Sequence, residues 1–294
     1  MRIVHRIFSN GNAPFKVALD ALGIRYNYEE SIVGKTVSLE VSEDEAHWQQ
    51  VSSLLSQHQI HDYVYTKFTK EEIRAAEWLV LGTTGHFGYP QPEDRYVETT
   101  YDIQAHCQSC GIGKHQKAPF RFRSEPKASR CQFLQLNWVF DEFFVRLPVK
   151  EEFERHKVTG VRFQRPVIHK TGREIESVFQ ICVGTLLPPA LATAGLRAVT
   201  CKLDNEEWSA RAGQFSRDPD ASYCGRIKYH PPTRELFRFL GSQLRSAPDV
   251  VKSHEWFGSG ASAYRVVLVS RRVASIFEAN RWRGVTLKPV ELVQ

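Results

Sequence analysis

A CxxCG motif near the middle of the chain, repeated in part further on, is the strongest chemical signal in the sequence. Residues Cys107–Gly111 read CQSCG, and Cys224-Gly225 repeats the second half of that motif. Two thiolates at this spacing can bind one metal ion from a tight turn, and the glycine after them relieves the steric strain of the turn. A structural zinc site needs four tetrahedral ligands. We therefore predict a zinc ion bound by Cys107, Cys110, Cys224 and one further residue.

The fourth ligand is not evident, because Ala221 stands where the repeat predicts a cysteine. His230 follows Cys224 and is the first choice for a Cys3His site, with His115 as the alternative fourth ligand. A second interpretation is that the metal was lost together with the missing cysteine. A redox-active pair is a third, and it would place Cys107 at a helix N-terminus.

The remaining cysteines suggest no chemistry of their own. Cys182 lies in an apolar segment with strand character, where a cysteine is most simply a small apolar side chain. Cys131 and Cys201 are interpreted in the same way.

A longer repeat follows each of these cysteine motifs. Residues 143–163 read FFVRLPVKEEFERHKVTGVRF and residues 267–287 read VLVSRRVASIFEANRWRGVTL. The pattern predicts a duplicated unit whose parts are a CxxCG turn (the knuckle), a linker, a strand, a helix, a glycine and a second strand. The two copies, at about 100–185 and 215–294, are expected to pack about a pseudo-twofold axis. At a constant offset the identical pairs are Val145/Val269, Val149/Val273, Phe153/Phe277, Glu154/Glu278, Gly160/Gly284 and Val161/Val285.

On these residues the chain resembles a family of bacterial proteins defined by a double CxxCG motif and common in myxobacteria. The resemblance depends on Cys107–Gly111, on Cys224-Gly225 and on the closing residues VLVSRRVASIFEANRWRGVTLKPVEL, and it covers roughly residues 100–294. It implies two knuckles that share one zinc ion. It also implies, for some members, an immunity role in which the protein neutralises a toxin.

The first 66 residues alternate between strand and helix patterns. The order βαββαβ predicts a ferredoxin-like domain over residues 1–80. Within it, Ser42 and Glu45 form a capping-box pattern at the start of the second helix. The expected fold class is therefore α+β.

A second capping box, Thr69–Glu72, predicts a helix that continues through Trp78. Residues 79–94 are rich in glycine and proline and indicate a loop and a domain boundary. The duplicated domain is then expected to span residues 95–294.

A basic stretch after the first knuckle suggests an alternative function. Phe120 and Phe122 alternate there with arginines, and rings beside cations can stack on bases while the cations contact phosphates. The alternative is a nucleic-acid-binding module. Its candidate residues are Lys117, Arg121, Arg123, Lys127 and Arg130.

The other features exclude function classes. The chain carries a net charge of +6 and has no phosphate-binding loop, no nucleophile elbow and no HExxH motif. Its start lacks an apolar signal segment, and its longest apolar stretch, 183–196, is too short to span a membrane. We expect a cytoplasmic, non-enzymatic protein that binds a macromolecule, most simply a toxin or a defence component.

Overall fold

The computed structural model describes residues 1–10, 13–31, 34–127, 130–202 and 223–294. The chain is α+β, as predicted. It divides into two compact units. The first contains Met1–Glu72 and Pro232–Leu236, and the second contains Ile73–Pro231 and Phe237–Gln294.

The first unit is a four-stranded antiparallel sheet with two helices packed on it. The sheet has the strand order β2-β3-β1-β4. Apolar residues of both helices pack with those of the sheet in one core. The elements in chain order are β1 (Arg2–Ser9), α1 (Ala13–Ala21), β2 (Asn27–Ser31), β3 (Gly34–Ser42), α2 (Trp48–Gln57) and β4 (Asp62–Lys67).

The capping box predicted at Ser42 forms only in part. The Ser42 backbone N–H donates to the Glu45 carboxylate at 2.9 Å, but the Ser42 hydroxyl donates to the Ile3 carbonyl at 3.0 Å. The Glu45 N–H, which would donate to this hydroxyl in a full capping box, donates to the Ser42 backbone carbonyl instead, at 3.0 Å. Helix α2 therefore begins at Trp48.

The second unit contains two principal sheets, with strand orders β11-β13-β10-β9 and β16-β19-β5-β18-β17. The unit begins within a short helix, α3 (Lys70–Ala75). Its own elements are β5 (Trp78–Thr83), α4 (Tyr96–Thr100), β6 (Tyr101–Asp102), β7 (His115–Gln116), β8 (Arg121–Phe122), β9 (Phe133–Leu134), β10 (Phe143–Val145), α5 (Leu147–Arg155), β11 (Val161–Gln164), β12 (Val167–Ile168), β13 (Phe179–Val183), β14 (Ala198–Thr200), β15 (Ile227–Tyr229), β16 (Phe237–Leu240), α6 (Gly241–Leu244), β17 (Val250–Lys252), β18 (Val267–Ser270), α7 (Arg271–Asn280) and β19 (Val285–Val293).

Strand β5 corrects the prediction for this part of the chain. The capping box at Thr69 forms in both directions, at 2.8 and 3.2 Å, but the helix that it starts ends at Ala75. The segment from Trp78, predicted to end a helix and enter a loop, is instead the central strand of the five-stranded sheet. Compact structure thus continues through the predicted boundary, and the second unit begins at Ile73 rather than near residue 95.

The two repeated segments adopt the same order of strand, helix, glycine and strand. Helix α7 and strand β19 have the bounds expected from the sequence. The helices turn equivalent side chains into one core, where the rings of Phe153 and Phe277 stack with centroids 5.8 Å apart. The matched residues Val149 and Val273 are fully buried beside them.

Each segment is completed by one central strand in the same register. Strand β13 lies between β10 and β11, and β5 lies between β18 and β19. The pairing Val145↔Phe179 matches Val269↔Leu79, and the pairing of Phe163 matches that of Leu287. By chain order β5 precedes the first segment yet completes the second.

The glycines that follow the two helices make matching close approaches. A Cβ atom on Gly160 would lie 2.1 Å from the Val250 carbonyl oxygen, and one on Gly284 would lie 2.8 Å from that of Phe133. Strands β17 and β9, which carry those carbonyls, occupy equivalent places beside β18 and β10. Only glycine leaves room for such contacts. Each repeated segment therefore packs, at its glycine, against the strand that lies beside the other segment.

Candidate metal centre

Four cysteines from distant parts of the second unit converge. The Sγ atoms of Cys107, Cys110, Cys201 and Cys224 all lie within 4.8 Å of one another. Cys107 and Cys201 are 3.7 Å apart, and Cys110 and Cys224 are 3.6 Å apart. A tetrahedral zinc site with Zn–S bonds of about 2.3 Å has sulfur–sulfur edges of about 3.8 Å. The cluster therefore has the dimensions of a four-thiolate metal site.

Cys201, and not a histidine, joins the three predicted cysteines. Neither His230 nor His115 belongs to this group of described residues. His115 lies on strand β7, and the backbone N–H of His230 donates to the Arg197 carbonyl at 2.9 Å. Ala221, the position at which the repeat predicted a cysteine, lies outside the described residues. The prediction that Cys201 is only a small apolar side chain is wrong, because its sulfur belongs to the cluster.

The two cysteine pairs sit in turns closed by the same hydrogen bonds. In the first, the Gly111 N–H donates to the Cys107 carbonyl at 2.7 Å, and in the second Gly225 donates to Cys201 at 3.0 Å. The first cysteine of each pair also donates its own N–H, from Cys107 to Ile112 and from Cys201 to Arg226, both at 2.9 Å. The second knuckle is therefore equivalent to the first, although its two cysteines are not neighbours in sequence.

A signal for Cys201 was present in the sequence. Without residues 203–222, the chain would read Cys201-Lys202-Tyr223-Cys224-Gly225, a complete CxxCG motif. At the uninterrupted CxxCG spacing, the position that corresponds to Cys107 is Ala221. Cys201 takes this place only if residues 203–222 are an insertion between the two cysteines.

One cation contacts each cysteine pair. The Arg226 guanidinium donates to the Cys224 sulfur at 3.2 Å and to the Ala105 carbonyl at 2.8 Å. The buried ammonium of Lys228 donates to the Cys110 carbonyl at 3.0 Å. The positive charge of Arg226, in contact with the Cys224 sulfur, favours its thiolate, the form that binds metal.

The protonation of the thiols follows their surroundings. Burial opposes ionisation of Cys224, but hydrogen bonds from Arg226 outweigh it and lower the pKa of this exposed thiol to about 6. Burial raises the pKa of Cys110 and Cys201. One thiol is thus ready to bind a cation at neutral pH, and a bound metal would have to displace protons from its buried partners.

The cluster is closed to solvent on most sides. Cys107, Cys110 and Cys201 form a small core with Ile112 and Ala263, against which Tyr223 and Trp256 pack. Four protein sulfurs leave no coordination position for a substrate, so the arrangement suits a structural ion and not a catalytic one.

The basic stretch does not have the geometry of a base-stacking surface. Phe120 and Phe122 are buried in a core with Tyr101 and Phe144. The rings are thus unavailable to nucleic-acid bases. Of the five candidate cations, Arg121 is half-buried, and the exposed ones are Lys117, Arg123, Lys127 and Arg130.

Comparison with protein-family models matches no family, and comparison with curated proteins finds no significant relative. None of the helices within the described ranges has the length and apolar character needed to cross a lipid bilayer.

Proposed function

We propose that the four cysteines bind one structural zinc ion, which stabilises the second unit. We also propose that this unit binds a protein partner. The observation that carries the metal is the set of sulfur–sulfur distances in the cluster. Zinc is the choice because four thiolates in a tetrahedron are its commonest structural site. The ion would tie the knuckle at Cys107 to that at Cys201, one from each half of the duplicated unit.

The surface that supports partner binding is an apolar patch formed by Tyr89, Ile103, Trp138 and Phe140. Trp138 is 51% exposed and Phe140 is 47% exposed. Their side chains line an open groove of about 480 Å³ together with that of Ile103, and the Tyr89 ring lies 4.4 Å from that of Trp138. Exposed aromatic residues grouped around a groove are typical of protein interfaces.

The backbone at Trp138 also supports a functional role. Trp138 has a φ of +67°, in a region that bulky side chains rarely adopt. The loop is nevertheless firmly held, because its neighbours Leu136 and Val139 are buried and Asn137 donates its N–H to the Gly88 carbonyl at 2.8 Å. Strain maintained by such anchoring is common at binding sites. It keeps the exposed indole pre-positioned for a partner.

The identity of the partner is inferred from the resemblance to the double-CxxCG proteins. We propose a toxin or another defence component, which this chain would neutralise or recruit as an immunity-type protein. The proposed action needs no catalytic group, since binding alone can block a toxin.

Partner capture with a matched pair of variants tests this function. Tagged chain, produced in its native host, is used to isolate and identify a partner, and the affinity is then measured with purified proteins. Trp138→Ser should weaken binding by about 100-fold or more, as loss of a central tryptophan does. Tyr63→Ser removes another exposed ring, 69% exposed and in the first unit, and should leave the affinity unchanged. Equal affinity of all three chains would contradict the proposal.

Nucleic-acid binding is the second candidate function. Contacts from cationic side chains would have to provide all of the affinity. Phosphate contacts by Lys117, Arg123, Lys127 and Arg130 would release counterions, so binding would weaken steeply as salt rises. The buried rings remove the stacking contribution. Titration of single-stranded RNA and duplex DNA at two salt concentrations tests this class, and absent or salt-independent binding would exclude it.

A further inference from the structure

A polar cavity in the second unit adjoins the cysteine cluster through Trp256 and Ala263, and it shares Lys114 with the groove beside the apolar patch. Its volume is about 440 Å³, within the range of pockets that hold small metabolites. Strand β7 and the loop after it form one wall, and β11 and β13 contribute Arg162, Gln164 and Cys182. Such pockets are usually lined by apolar side chains, and this one is lined mainly by charged and polar groups.

A buried hydrogen-bond network forms the base of this cavity. The Glu142 carboxylate accepts from the Lys252 ammonium at 2.5 Å and from the Gln180 amide at 2.9 Å. Gln180 and Gln116 exchange two amide hydrogen bonds, at 2.6 and 2.9 Å. Glu142 and Gln180 are buried, and Lys252 is nearly so. Every member is held by another, so the network is rigid before any ligand arrives.

The other half of the duplicated unit shows that the fold does not require these polar groups. In the register that relates the two halves, Glu142 corresponds to Val266 and Gln180 to Val80. Val266 and Val80 pack in an apolar core instead of lining a cavity. Burying a carboxylate and an amide costs free energy that valine does not. The polar groups therefore serve the cavity.

The charges around the cavity leave an excess of cations. Lys252 is paired with both acidic residues, at 2.5 Å from Glu142 and 3.6 Å from Asp141. Lys114 is half-buried, with its ammonium 5.4 Å from the Tyr101 ring centroid, and no described carboxylate forms an ion pair with it. Lys117 and Arg162 add two more positive charges to the lining.

We propose that this cavity binds a small polar metabolite through a phosphate or carboxylate group. Lys114, Lys117 and Arg162 would hold the anionic group, and the Gln164 amide would hydrogen-bond the rest of the molecule. Charge-assisted contacts of this kind are the strong hydrogen bonds of anion sites. None of these residues is one of the four clustered cysteines, and anion binding can be measured without zinc or a protein partner.

Calorimetric titration of the purified full chain with inorganic phosphate and with succinate tests the proposal and separates the two anion chemistries. Binding of at least one probe in the millimolar range is expected. Lys114→Met and Arg162→Gln should each weaken it by about tenfold or more. Arg165→Gln is the matched control, because Arg165 follows the same strand and does not line the cavity.

Three results would overturn the proposal: no binding of either probe up to about 20 mM, binding unchanged in both cavity variants, or equal weakening by Arg165→Gln. Thermal unfolding of each variant identifies any loss of fold. Arg162 is exposed, so Arg162→Gln should fold. It therefore still tests the proposal if Lys114→Met does not fold.

Discussion

The Sγ atoms of Cys107 and Cys201 lie 3.7 Å apart, although 94 positions separate the two residues in sequence. Each begins one knuckle, and each is buried. The contact brings Cys201 into the cysteine cluster and makes it the candidate for the fourth ligand of the proposed zinc ion. The first prediction concerns this residue.

Cys201→Ser should lower zinc affinity by more than the roughly 10- to 100-fold that loss of an outer-shell partner costs, because a ligand itself is removed. Competition with a chromogenic chelator measures the change. Cys182→Ser and His230→Ala are the controls, since neither residue belongs to the cluster. A loss of zinc in His230→Ala with full retention in Cys201→Ser would restore the ligand set predicted from the sequence.

The chain without residues 203–222 should still bind zinc. Joining Lys202 to Tyr223 gives the second knuckle the spacing of the first, and both knuckles already share the same closing hydrogen bonds. We expect zinc content and unfolding temperature close to those of the full chain. A shortened chain that folds but binds no zinc would show that the two knuckles are not equivalent.

Asp249 should stabilise the second unit in a pH-dependent way. Its carboxylate accepts hydrogen bonds from the Thr159 N–H and hydroxyl, both at 3.0 Å, and from Ser270 at 2.9 Å, and it pairs with Arg272 at 2.8 Å. Burial opposes ionisation, but these contacts outweigh it and lower the pKa of the carboxyl below 3.8. Asp249→Asn should reduce the free energy of unfolding by about 1.5–3 kcal/mol at pH 7.

The sign of the pH dependence follows from that lowered pKa. The contribution of Asp249 is fully present above the unfolded-state value of 3.8, and it is lost as the pH falls through the lower folded-state pKa. Denaturant unfolding at several pH values should show the difference between the two chains closing in that acidic range. Asp94→Asn, at an exposed carboxylate, should show no such difference, and a pH-independent gap for Asp249→Asn would contradict the account.

Trp138→Gly should remove partner binding at little cost in stability, because relief of backbone strain offsets the added entropy of the unfolded chain. Glycine adopts a positive φ without strain, so about 1 kcal/mol of backbone strain at φ +67° is relieved. The exposed indole contributes little to the core, and its loss should cost little. Thermal unfolding and the affinity assay together test this, and a marked loss of stability would mean that Trp138 is a structural residue.

Much of the fold could be predicted from local patterns. The element order of the first unit, helix α7 and strand β19 all follow from periodicity and capping. Strand β5 could not be identified in this way, because the short apolar run at Trp78–Thr83 directly follows a helix signal. Its pairing with β18 and β19, far along the chain, makes it a strand.

The cysteine cluster was only partly predictable for a related reason. The spacing of Cys107 and Cys110 is a local signal, and the Cys224-Gly225 pair repeats it. Cys201 has no such signal unless an insertion is allowed, and its role becomes visible only when the fold brings it to Cys107. The predicted stacking role of Phe120 failed because the sequence did not show which face of the strand is buried.

Native mass spectrometry of the purified full chain tests the central claim most directly. The account predicts one zinc ion per chain under native conditions, lost on acid denaturation or treatment with a strong chelator, and protection of the four clustered thiols from alkylation while the metal is bound. A folded chain that carries no zinc and whose four cysteines are alkylated as readily as those of the denatured protein would contradict it.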